Sequence, residues 1–199
     1  MELLPEPLTG KVTPGKITLA VVPRRAIQPL LGLAARLALR APLRVLDGGN
    51  CFNAYVVAQI LRPALPQARQ QMQEMEAALE RIRVARAFTC YQMVTLLDET
   101  PATPVATLVL DLLATFRDET VPLAERQRLL EHCLERLKNL AAAAPLIVSV
   151  SPDGGPPMSR QNRQRQPRQG DGLLSRLEQA ADQVWRFSAP PPIVQLRLW

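Results

Sequence analysis

Aromatic side chains are scarce: 199 residues include two Trp, two Tyr and four Phe. A core of ordinary size must therefore be built from Leu, Val, Ile and Ala, which the 47% hydrophobic content supplies. Histidine occurs once, at His132, and cysteine three times, at Cys51, Cys90 and Cys133. No CxxC pair is present. His132 and Cys133 are sequence neighbours, which on a helix point about 100° apart and chelate poorly. Buried thiols in a reducing compartment are therefore expected rather than a metal site. Long hydrophobic runs are missing too. No apolar stretch reaches the ~18 residues that a membrane helix needs. The opening MELLPEPLTG has no basic start leading into an apolar run. No signal peptide is expected, and the chain is read as cytoplasmic.

What is abundant is arginine. Of 24 basic residues, 21 are Arg, and the formal net charge is +6. The charge is uneven: residues 1–66 carry eight basic and three acidic side chains, residues 67–150 nine and eleven, and residues 151–199 seven and four. Such a balance permits an anionic partner without demanding one.

Residues 1–15 are proline-rich and read as irregular; residues 16–199 read as one domain. KITLAVV (16–22) is a buried strand stopped by Pro23. Residues 26–40 are Leu/Ala-rich and helical, with Pro29 in the first turn. LRVLD (43–47) is a short apolar run, GGN (48–50) a turn and 53–62 a helix. Residues 67–82 read as a polar helix with a buried stripe at Met72, Met75, Leu79 and Ile82. RIRVARAF (81–88) is a strand, 90–99 a helix, 100–104 a turn and VATLVLD (105–111) a strand buried on both faces. Residues 122–142 form a long helix with a stripe through Leu123, Leu130, Cys133, Leu134, Leu137 and Leu140, followed by the strand PLIVSV (145–150). After a Gly-, Pro-, Gln- and Arg-rich loop at 151–172 come a helix (173–182) and two alternating strands, QVWRF and IVQLRLW, joined through SAPPP. The expected fold is α/β, with a mostly parallel central sheet and a C-terminal antiparallel edge hairpin.

The strings RVLDGGNCFNAYVVAQI, ERIRVARAFTCYQMVTLL and TLVLDLLATFRDE, with LAERQ opening a long Leu-rich helix before IVSV, resemble the ATPase core of the RecA superfamily. The nearest branch is the strand-exchange recombinases of the RadA type. The resemblance spans residues 10–190 in the same order and implies a RecA-like three-layer sandwich. The family's Walker A loop, GxxxxGK[ST], wraps phosphates with backbone N–H groups. Here the matching junction reads Val22-Pro23-Arg24-Arg25-Ala26-Ile27-Gln28-Pro29, without glycine, Lys or hydroxyl. The catalytic glutamate is replaced within Asp47-Gly48-Gly49, and the nucleotide-sensing Asn-Gln by Ser151-Pro152. Only Asp111 matches an ATPase acid, the Walker B position that orients metal-bound water.

The resemblance thus implies a degenerate core with no catalytic residue and no cofactor. Asp47 and Asp111, ending neighbouring strands, are expected to be structural. The DNA-binding candidates are Arg160, Arg163, Arg165 and Arg168, which stand where the family has its second DNA-binding loop, interleaved with Gln and Asn. Arg24 and Arg25, beside a helix start, join them. That loop holds no aromatic to stack bases. The loop from Arg117 to Pro122 is short and carries Asp118 and Glu119, unlike a first DNA-binding loop. The expected function is that of a non-catalytic recombinase-like accessory protein in DNA repair or recombination, partnered by single-stranded DNA, an active recombinase or another repair protein, and by no membrane. The alternative is a RecA-like protein-interaction module without DNA binding, such as a cell-division inhibitor. A third reading is an ATPase with an atypical loop.

Overall fold

A computed structural model describes residues 12–62, 68–152 and 172–188. The apolar runs become strands of five residues: β1 (Ile17–Val21), β2 (Leu43–Asp47), β3 (Ile82–Arg86), β4 (Ala106–Leu110) and β5 (Leu146–Val150), followed by the shorter β6 (Gln183–Arg186). Between them lie α1 (Gln28–Arg40), α2 (Ala54–Leu61), α3 (Ala68–Glu80), α4 (Cys90–Glu99), α5 (Leu123–Ala143) and α6 (Leu173–Ala180). The strands form one sheet in the order β3-β2-β4-β5-β1-β6, with every pairing parallel. In the common doubly wound order β1 lies beside β2; here β4 and β5 stand between them.

Helices cover both faces, which is why the strands read as continuous apolar runs rather than alternating ones. Leu19, Val21, Val109 and Val148 face α4, α5 and α6. Ala20, Val45, Leu108 and Ile147 face α1, α2 and α3. Local chemistry sets the helix starts. The Asn53 side chain accepts from the N–H groups of Tyr55 and Val56, and Thr89 accepts from that of Gln92. Pro122, without an N–H to lose, stands immediately before α5.

Three expectations need correction. The QVWRF strand makes no antiparallel hairpin within the described residues: β6 pairs parallel with β1, from Thr18↔Gln183 to Val21↔Arg186. The reason is α6, which carries the chain back to the start of β1, so the next strand must run the same way. The Asp182 carboxylate fixes this return by accepting the N–H of Ile17 at 2.7 Å. The IVQLRLW segment lies outside the described residues, as do residues 1–11 and 153–171. In α3 the buried line runs through Met75, Ala78 and Leu79, while Met72 is 60% exposed and Ile82 already belongs to β3. In α5, Leu123 is exposed and the buried line begins further on, at Leu129 and Leu130, since the residues that touch the core start there. Among the described residues no helix is long and apolar enough to cross a membrane.

Phe116 is fully buried between the sheet and α5. Phe116→Ala should lower the unfolding free energy by about 3–5 kcal/mol, whereas Met72→Ala should change it by less than about 0.5 kcal/mol. Urea unfolding of the two variants beside the parent checks this. Equal effects would contradict the assignment of the two side chains to core and surface.

Candidate functional site

All strands of a parallel sheet point their carboxyl ends to one edge, where ligands bind in open α/β folds. That edge receives Pro23 to Arg25 after β1, Asp47 to Asn50 at the end of β2, Asp111 after β4 and Ser151 after β5. The two acids are buried, Asp47 completely and Asp111 at 2% exposure. An ionised carboxylate so placed must be hydrogen-bonded and paired.

Asp111 meets that demand from three sides. Its Oδ1 accepts the Ser151 N–H at 3.0 Å, and its Oδ2 accepts Arg24 Nε–H at 3.3 Å. Arg117 Nη2 lies 3.7 Å from Oδ1 and donates to the Ser151 carbonyl at 2.7 Å. The Asp111 backbone has φ 45°, in the left-handed region that Asp adopts more readily than most residues. Its own N–H donates to Ser149 Oγ at 2.9 Å. Asp47 is satisfied within its own turn: Oδ1 accepts from Cys51 N–H and Oδ2 from Phe52 N–H, both at 2.9 Å. Arg86, paired in register with Asp47, adds Nε at 3.5 Å. All four carboxylate oxygens therefore already accept a hydrogen bond.

Arg24 ties the two acid-bearing turns together. Its side chain reaches past β5 to Asp111 and donates through Nη2 to the Gly49 carbonyl at 2.8 Å. The closeness of those turns explains the glycine. A Cβ on Gly49 would stand 2.6 Å from Asp111 Cβ and 2.7 Å from Cys51 Sγ. Arg25 is exposed. The edge thus carries Arg24, Arg25 and Arg117 around the single charge of Asp111, and Arg117 Nη1 is buried without a hydrogen-bond partner. The chemistry this allows is recognition of an anion. Among the described residues no group of three or more His, Cys, Asp or Glu could hold a metal.

Of the predicted site residues, Arg24, Arg25 and Asp111 meet at this edge, with Arg24 committed to internal partners. Arg160, Arg163, Arg165 and Arg168 lie outside the described residues. Sequence reading missed Gly49 as a close-approach glycine, and it missed Arg86 and Arg117 as partners of the acids. The signal for Arg86 was its place at the end of the strand beside β2; for Arg117, its place at the end of the short helical segment 112–116 that follows β4. No protein-family model matches the chain, and no curated protein matches it.

The cysteines divide as their burial dictates. Cys90 and Cys133 are buried, while Cys51 is half-buried at the site. Burial first, and then the charges of Asp111 and Asp47, push the Cys51 thiol up to about 11. Burial pushes Cys133 up to about 12. An unfolded thiol ionises near 9, so the folded state holds protons that the unfolded state releases. The stabilisation is complete below pH 9 and is lost as pH rises towards 11 and 12. Urea midpoints should fall above pH 9, and a Cys51→Ala/Cys133→Ala variant should show a shallower fall. A second outcome follows from the closeness of the turns: Gly49→Ala should destabilise by about 1–3 kcal/mol, and an unchanged urea midpoint would show that the two turns are not held together.

Proposed function

We propose that this chain is a non-catalytic RecA-like core that binds single-stranded DNA as an accessory in DNA repair or recombination. The observation that carries the non-catalytic reading is the state of Asp111. In the family resembled, that acid orients metal-bound water. Here its oxygens are taken by Arg24 and the Ser151 N–H, and Arg24 comes from the segment that matches the phosphate loop. A guanidinium thus stands where a metal and phosphates would need room. The parallel sheet with helices on both faces supports the RecA-like assignment.

Support for an anionic ligand comes from placement. β5 ends at the carboxyl edge, and Gly172 opens α6, which returns the chain to the opposite edge before β6. Ser151 and Gly172, the described residues on either side of the arginine-bearing stretch of sequence, thus both lie towards the edge that holds Arg24, Arg25 and Arg117. Arginine side chains at one edge neutralise phosphates and release counterions, which gives affinity with a steep salt dependence. Arginine, rather than lysine, suits such contacts because its planar fork matches phosphate oxygens.

Fluorescence anisotropy with a labelled single-stranded oligonucleotide tests the reading. The parent should bind, and its affinity should fall steeply with salt. The variant Arg160→Ala/Arg163→Ala/Arg165→Ala/Arg168→Ala should weaken binding and flatten the log–log salt slope by up to about 3, at ~0.7 for each phosphate no longer neutralised. Mg-ATP should change neither affinity nor thermal stability. No binding at low salt would overturn the DNA assignment and favour a protein partner. A stabilisation by Mg-ATP of about 2–3 kcal/mol, as a ligand near 100 times its Kd gives, would overturn the non-catalytic one.

A further inference from the structure

Three of the chain's six Tyr and Phe residues stand in solvent at one corner of the molecule: Tyr55 at 70%, Phe88 at 69% and Tyr91 at 50% exposure. Scattered exposed apolar residues are ordinary, but three aromatics at one corner of an aromatic-poor chain are not. Their place follows from the fold. Tyr55 lies in the first turn of α2, just after its cap Asn53, and Phe88 and Tyr91 flank Thr89, the cap of α4. Both helices begin at the carboxyl edge, one on each face of β3. β3 is the outermost strand of the sheet, with Arg83, Val84 and Arg86 exposed.

Arg86 links the two sides. It ends β3, donates through Nη2 to the Phe52 carbonyl at 3.3 Å, and keeps nearly half of its side chain in solvent. The charges around it have one sign. Across residues 43–62 and 82–97 the charged side chains are Arg44, Asp47, Arg62, Arg83 and Arg86, and the one acid is wholly buried. Of the acids towards the start of α4, Glu125 is paired with Arg128 at 2.7 and 2.8 Å, while Asp118, which accepts from Thr120, and Glu119 keep their charge on the α5 side, away from β3. Exposed π-faces beside Arg83 and the solvent-facing part of Arg86, whose Nε is paired with the buried Asp47, suit a ligand that offers both flat rings and phosphates. A duplex keeps its rings inside the stack, whereas a single strand presents them.

We propose that this corner is a base-stacking surface for single-stranded nucleic acid, with Tyr55, Phe88 and Tyr91 receiving unpaired bases and Arg83 and Arg86 the phosphates. The inference rests on the single-stranded DNA reading above. It supplies the aromatic contacts that the arginine-rich segment lacks. The side chains involved are exposed, so replacing their rings leaves the core intact.

The test uses the full chain and two labelled strands of equal length, one of thymidylates and one of abasic phosphodiester. The parent should prefer the base-bearing strand by about tenfold or more, the factor that stacking of a single base gives. The variant Tyr55→Leu/Phe88→Leu/Tyr91→Leu, with an unchanged urea midpoint, should lose that preference and keep the salt slope. A parent that binds both strands equally, or a variant that keeps the preference, would overturn the stacking surface while leaving DNA binding in place. A parent that binds neither strand would overturn the underlying reading as well. Dimerisation abolished in the variant, with the base preference intact, would assign the corner to an interface between protein chains instead.

Discussion

The carboxyl edge is organised around a buried negative charge. Asp111 lies within the sheet edge, where an unpaired carboxylate is prohibitive, so the surroundings must supply charge and hydrogen-bond donors. Arg24, Arg117 and the Ser151 N–H do so. The consequences spread outward. Arg24 crosses β5 and bonds the Gly49 carbonyl, which ties the turn after β2 to Asp111; Asp111 itself, with Cys51, leaves Gly49 no room for a Cβ. Arg117 must hold Ser151, which fixes where the chain leaves β5. One neutralisation thus sets three connections.

The same constraint bears on function. A carboxylate that awaits a metal keeps open oxygens and a cationic partner that arrives with the ligand. Here the partner is built in. Asp47 and Asp111 face inward, while Arg25 and parts of Arg24 and Arg117 face outward. These are the features on which the proposed anion-binding role rests. Recognition sites of this kind are carried on a scaffold rather than implied by it.

Much of the scaffold was legible in the sequence, for physical reasons. Runs such as LAVV and LIVSV, apolar at consecutive positions, announce strands covered on both faces. Pro23, Asn53, Thr89 and Pro122 mark boundaries because each acts through its own backbone or side chain. What was not legible depended on distant partners. The direction of β6 is set by β1, more than 160 residues earlier in the chain. The pairing of Arg24 with Asp111 spans 87 positions. The ends of the α3 and α5 stripes, at Met72 and Leu123, fit the helical period but are exposed, because period alone does not say where along a helix its neighbours end. Asp47 and Asp111 were read as structural because the phosphate loop is missing; the partners that fill their oxygens, Arg24, Arg86 and the Ser151 N–H, lie far off in sequence and were not legible. The exposure of Tyr55, Phe88 and Tyr91 carries no local signal, since an aromatic beside a strand or in a helix's first turn is as readily core as surface.

The central claim is that Asp111 is a structural charge rather than a ligand-binding one. Asp111→Asn keeps the shape and a carbonyl oxygen for the Ser151 N–H, and removes the charge that Arg24 and Arg117 face. Groups held ready for a ligand are commonly costly to the fold, so replacing them leaves stability unchanged or raises it. Urea unfolding of Asp111→Asn at neutral pH decides the matter. A loss of about 3–5 kcal/mol, the cost of breaking a buried pair, is what the account predicts. An unchanged or increased unfolding free energy would contradict it and return Asp111 to the role of an acid waiting for a ligand.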